Sequence, residues 1–188
     1  MKHQLEDIPI ATNHSIRVIP VFLILDLNDK NILLFNNVIR RLISTLRNDP
    51  FCLERMMLSI LLACNERVKT IVPYDELSNI LIPEITNNII LEDPTSNTSN
   101  TLNNLLDKKI IRTAGFRPPK IIILTNKSEF HLQLDPLWNK IADKIILTDS
   151  EKPKEFPKNF NIIQIPFDEA DVCNYLIDYL IPHAEVYS

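Results

Sequence analysis

Arg17–Lys30, RVIPVFLILDLNDK, decides how this chain folds. Val18 to Leu25 is an almost unbroken apolar run, the composition of a parallel strand covered on both faces. The run ends in Asp26 and a polar turn. Beyond the turn the apolar period changes: Leu34, Phe35, Val38, Ile39, Leu42, Ile43 and Leu46 recur at helical spacing, with Arg40, Arg41, Ser44 and Arg47 between them. A strand that runs through an acidic turn into an amphipathic helix opens an α/β sheet. In such sheets a carboxylate at the carboxyl end of a strand stands where ligands and metals bind.

The rest of the chain continues the alternation. Asn48-Asp49-Pro50 predicts the end of the first helix, because proline disfavours helical geometry in its predecessor. Met56 to Cys64 and Val68 to Val72 read as strands, and the short Asn65-Glu66-Arg67 connection makes them an antiparallel hairpin. Leu77 to Ile90, interrupted by Pro83, fits neither period. Glu92 to Asn100, EDPTSNTSN, reads as a loop, followed by a helix from Ser99 or Asn100 with Leu102, Leu105, Leu106 and Ile110 inward. Further strands are expected at Lys120–Leu124, Lys144–Leu147 and Phe160–Ile165, with a short helix over Pro136–Ala142. Asp168 offers an N-cap to a final helix whose stripe is Val172, Tyr175, Leu176, Tyr179 and Leu180. The expectation is one α/β domain over 1–188, with 1–16 as a lead-in: a three-layer, Rossmann-like, mostly parallel sheet with helices on both faces.

Composition excludes several function classes. A net charge of −4 gives no general attraction to nucleic acid or to an anionic membrane. Gly115 is the one glycine in the chain, whereas dinucleotide folds and P-loops use several to bring backbone close to phosphate. Cys52, Cys64 and Cys173 are far apart and lack zinc-ligand spacing, so they read as small buried hydrophobes in a reducing compartment. The opening MKHQLEDIPIATNH has no apolar signal core, and no run approaches the about 20 apolar residues of a membrane span, so a cytoplasmic location is expected. No GxSxG elbow surrounds Ser15, Ser59 or Ser128. Asp168, Glu169 and Asp171 sit at a helix start, where the dipole favours negative charge, and read as capping. His3, His14, His131 and His183 share no motif and read as surface or turn residues.

Two blocks carry a resemblance: Asn13–Asp26, NHSIRVIPVFLILD, and Arg117–Lys127, RPPKIIILTNK. Together with the hairpin at Met56–Val72 and the Ser/Thr-rich segment Glu92–Leu106, they resemble the von Willebrand factor A (vWA) domain. The resemblance is to its compact bacterial members associated with tellurite-resistance clusters (TerY-like). It implies strand order 3-2-1-4-5-6 with strand 3 antiparallel, so that Asp26 and Asn126 meet at the top of the sheet. It also implies a metal-ion-dependent adhesion site (MIDAS) for Mg²⁺ or Mn²⁺, built from a DxSxS turn, a loop threonine and the aspartate of LTDG, and completed by a partner's carboxylate.

Carried onto this chain, the family's first aspartate is Asp26. Its two serines become Asn28 and Lys30, its threonine falls on Thr98 (with Thr95 or Thr101 as alternatives), and LTDG becomes Leu124-Thr125-Asn126-Lys127. Lysine has no acceptor atom, and one carboxylate is lost. Lys30 is therefore expected to set its ammonium near Asp26, replacing the metal with an internal ion pair. The resemblance then implies a non-enzymatic protein–protein interaction module with a degenerate, metal-free site and no cofactor. Its setting would be a bacterial stress response, beside a kinase- or phosphatase-like protein partner. Two readings stand beside it. One is a Mg²⁺- or Mn²⁺-dependent adhesion or scaffold module using Asp26, Asn28, Thr98 and Asn126, helped by Asp29 or Asp93. The other is a small Rossmann-like enzyme or nucleotide binder. Partner identity and oligomeric state are not encoded in any motif.

Overall fold

The computed structural model describes residues 18–26, 28, 30–64, 67–86, 96–107, 117–151 and 154–185. Among them run β1 (Ile19–Asp26), α1 (Ile32–Asn48), α2 (Pro50–Arg55), β2 (Met56–Cys64), β3 (Arg67–Glu76), β4 (Ser96–Asn97), α3 (Thr98–Leu105), β5 (Lys120–Leu124), α4 (Pro136–Ile141), β6 (Asp143–Thr148), β7 (Asn161–Gln164) and α5 (Glu169–Glu185). They form one sheet of order β4-β3-β2-β1-β5-β6-β7. Pairing is parallel from β2 through β1, β5 and β6 to β7, and antiparallel for β3 on β2 and β4 on β3. This is the expected 3-2-1-4-5-6 arrangement with an antiparallel third strand, extended at one edge by the two-residue β4.

Alternation along the strands divides the core into two layers, since successive side chains point to opposite faces. Ile19, Val21, Leu23 and Leu25 join Met56, Leu58, Ile60, Ile122, Leu124, Ile145 and Leu147 beneath α1, α2 and α5. Phe22 and Ile24 join Leu61, Ala63, Ile121, Ile123 and Ile146 beneath α3 and α4, where Leu102, Leu106 and Trp138 cover them. The stripes predicted for α1 and α5 are the buried ones: Val38, Leu42 and Leu46 of α1, and Val172, Leu176 and Leu180 of α5. Tyr175 and Tyr179 are half-buried and pack against the same layer. Asp168 caps α5 as expected, its carboxylate accepting from Asp171 N at 3.0 Å.

Three boundaries differ from the sequence reading. α1 ends at Asn48 as the sequence predicts, but a second, unpredicted helix follows at once. Asp49 turns extended and its side chain accepts from Cys52 N at 2.7 Å, so a new helix starts with Pro50 in its first turn, where no N–H is needed. β3 runs past Val72 through Pro73 to Glu76, with register shifts near Ile60 that accommodate the proline. The segment after Leu77 has no regular structure as far as Thr86 yet buries Ile80 and Ile85; the reading of residues 87–90 lies outside the described residues.

Tyr74 stacks on Phe22 at 5.5 Å, and burial pushes its phenol up from 10.0 to about 12. Tyr179 donates to Asp143 Oδ2 at 2.6 Å, and burial followed by that bond raises its phenol too. A phenol raised in the folded state contributes stability that is complete below the unfolded value. That contribution is lost as pH climbs, because the unfolded chain then releases a proton the fold retains. Urea midpoints should therefore fall between pH 10 and 12, and fall less steeply in Tyr74→Phe. Parallel declines in the two proteins would refute the burial of that phenol.

Candidate functional site

β1 is the central strand, flanked by β2 and β5, and chain connections leave its two sides in opposite directions. The carboxyl ends of β1 and β5 therefore form the switch-point crevice of the sheet. Asp26, the last residue of β1, is 2% exposed. Lys127 Nζ lies 2.6 Å from its Oδ1, and Thr125 Oγ1 donates to its Oδ2 at 2.7 Å. The short ammonium–carboxylate contact is that of a charge-assisted bond. Thr125 is fully buried; its N–H donates to Leu147 O at 3.1 Å and its hydroxyl accepts from Lys127 N at 3.1 Å, which sets the lysine over the carboxylate.

The turn after β1 is held by asparagines. Asn31 Nδ2 donates to Asp26 O at 3.0 Å, and Asn31 Oδ1 accepts from Asn28 N at 2.9 Å. Asn28 Oδ1 accepts from Lys30 N at 3.0 Å, and Asn28 Nδ2 donates to Asn126 Oδ1 at 2.8 Å. The two turns predicted to meet do meet, through Asn28 and Asn126, but Asp26 faces Thr125 rather than Asn126. The reason is register: Leu25 pairs with Leu124, which puts Asp26 level with Thr125.

Lys30 is a correction. It is exposed on the turn, and the ammonium that reaches Asp26 belongs to Lys127. Lys30 sits on the short segment leading into α1, whose first turn carries it outward, whereas Lys127 follows β5 directly above Asp26. Thr98 opens α3 and is 3% exposed. With Asp26, Ala63, Lys127, Glu129, Phe130 and His131 it lines a cleft of about 450 Å³. Thr101, the alternative, lies further along α3, and Thr95, Asp29 and Asp93 lie outside the described residues. The sequence reading missed Thr125 and Asn31. Thr125 was visible only as the residue before Asn126, and Asn31 as a polar residue three places after Asn28, a spacing that closes a turn.

A Mg²⁺ or Mn²⁺ ion does not fit this donor set. Such ions want six oxygen ligands and gain much of their affinity from carboxylates. Here both Asp26 oxygens and the side-chain oxygens of Asn28 and Asn126 already accept from protein donors. A divalent ion about 4 Å from the Lys127 ammonium would be repelled by about 2–8 kcal/mol at effective dielectrics of 80 to 20.

Among the described residues no helix is long and apolar enough to cross a membrane. No protein-family model matches the chain, and no curated protein matches it in sequence. Among solved structures it is similar to an aerotolerance-related membrane protein from Bacteroides fragilis NCTC 9343, solved with multiple mutations to serines. Identity is 11% and the TM-score 0.49, over 88% of this chain and 99% of that one. The architecture stands on this chain's own strand order and register.

Proposed function

We propose that this chain is a non-enzymatic protein–protein interaction module of the vWA type, with an internal ion pair in place of a metal at its crest. The observation that carries the reading is Lys127 Nζ at 2.6 Å from the buried Asp26 carboxylate, at the end of the central strand. Strand order, antiparallel β3 and the Thr98–Asp26 cleft support the vWA reading. The partner is a protein that docks on the loops around this crest. By analogy with the bacterial members the chain resembles, it works in the cytoplasm beside a kinase- or phosphatase-like partner in a stress response.

Calorimetric titration of the wild type with Mg²⁺ should give no stoichiometric heat. Lys30→Ser with Asn126→Asp leaves the Lys127 ammonium in place and should also stay inert, whereas adding Lys127→Gly should create Mg²⁺ affinity. Partner captured from host extract should stay bound in EDTA. Wild-type Mg²⁺ heat that Asp26→Asn abolishes would instead establish the metal-dependent module.

A further inference from the structure

Beside the crest lies a second group of chemistry-bearing residues. Glu129 and His131 follow β5 two residues apart and are both exposed, with the buried Phe130 between them. Glu129 forms a parallel β-bridge with Glu155 from the charged loop before β7. The two segments are tied by Phe130 N to Glu155 O at 2.9 Å and Lys154 N to Ser128 O at 2.7 Å. Beneath the ribbon, Phe130 is 7% exposed and Phe156 packs on the same core layer, so the backbone under the three polar residues is anchored.

All three side chains are exposed, and one ligand atom from each lies within 4.8 Å of the others. Among the described residues no lysine or arginine pairs with either carboxylate, although like charges opposed across a bridge repel by up to about 1 kcal/mol. Thr98 stands on the opposite wall and is 3% exposed. It lines both the cleft shared with Glu129 and His131 and the neighbouring cleft of about 380 Å³ shared with His131 and Glu155. α3 is held there by Ser99 Oγ, which accepts from Gln133 N at 2.9 Å.

We propose that Glu129, His131 and Glu155 bind one divalent transition-metal ion of the Zn²⁺ type, with its open coordination position facing the clefts beside Thr98. One imidazole nitrogen and two carboxylates are a Zn²⁺ donor set, with bonds near 2.0–2.2 Å. Nitrogen ligation and the small ligand number favour such ions over Mg²⁺. Side-chain rotation closes the remaining spread, and the two negative charges are neutralised. Three protein ligands leave the fourth position to a water molecule. The site shares no ligand with the Asp26–Lys127 pair and holds whether or not the crest takes a metal.

Titration of the intact chain with Zn²⁺ alone should show one ion per chain. His131→Ala should weaken binding by at least about tenfold, as ligand loss exceeds the 10–100-fold typical of outer-shell changes. The double variant Glu129→Gln/Glu155→Gln should abolish it. Glu54→Gln, an exposed carboxylate on α2, should bind like the wild type. All three triad residues are exposed, so circular dichroism should be unchanged in the variants. Absence of Zn²⁺ heat in the wild type, or heat that survives both triad variants, would overturn the assignment.

Discussion

Lys127→Ala should lower the unfolding free energy by about 2–3 kcal/mol, read as a drop in Tm of about 4–12 °C for a domain of this size. The cause is what it leaves behind. Asp26 is 2% exposed, and without the ammonium its charge keeps Thr125 Oγ1 as its side-chain donor. Breaking a fully buried pair costs about 3–5 kcal/mol, and an exposed pair about 0–1. The Lys127 side chain is 35% exposed and that of Asp26 3%, which places this pair nearer the buried case but below it. The double variant Asp26→Asn/Lys127→Met removes both charges and keeps an acceptor for Thr125. It should recover to within about 1 kcal/mol of the wild type, because a buried ion pair contributes little relative to neutral residues that fit. Urea unfolding of the wild type, Asp26→Asn, Lys127→Met and the double variant measures the coupling. Equal loss in the single and double variants would mean that the ammonium does not hold the crest.

Trp138→Ala should cost about 3–5 kcal/mol, the range for emptying a large aromatic site in a core. Trp138 is 1% exposed and sits on α4 with Phe130, Leu134, Ile121, Ile123 and Ile146, in the layer that seats the Glu129–His131 ribbon. Its indole donates to Asp107 Oδ1 at 2.6 Å. Asp107 is exposed, so its carboxylate turns to water in the variant and the loss is one of packing. Trp138→Phe keeps most of the volume and gives up the bond, and should cost about 1–2 kcal/mol. Because Trp138 is the chain's one tryptophan, unfolding is followed by circular dichroism. A cost below about 1 kcal/mol in Trp138→Ala would show that this face is loosely packed and that the ribbon is not anchored through it.

Much of the fold was legible because burial on both faces leaves continuous apolar runs. β1, β2, β5 and β6 coincide closely with theirs, and the stripes of α1 and α5 name the residues that point inward. α2 was hidden because Asp49-Pro50 serves equally to stop one helix and to start another. β4 was hidden because a two-residue edge strand has no period to detect. The crest was legible in part: Asp26, Asn28, Thr98, Asn126 and Lys127 gather there, while Lys30 turns to solvent and Thr125 had gone unmarked.

His131 shows the limit most plainly. Two residues from Glu129 it is one histidine among four, and nothing local announces Glu155 as its neighbour. Their meeting depends on a bridge between loops far apart in the chain. Hydrophobic period is a local property, so residue order alone settled the layers, the strands and the placing of an acid at the end of the central one. Which lysine lies on that acid, 101 positions away, follows from strand register, and register emerges when β1 and β5 pair across a packed sheet.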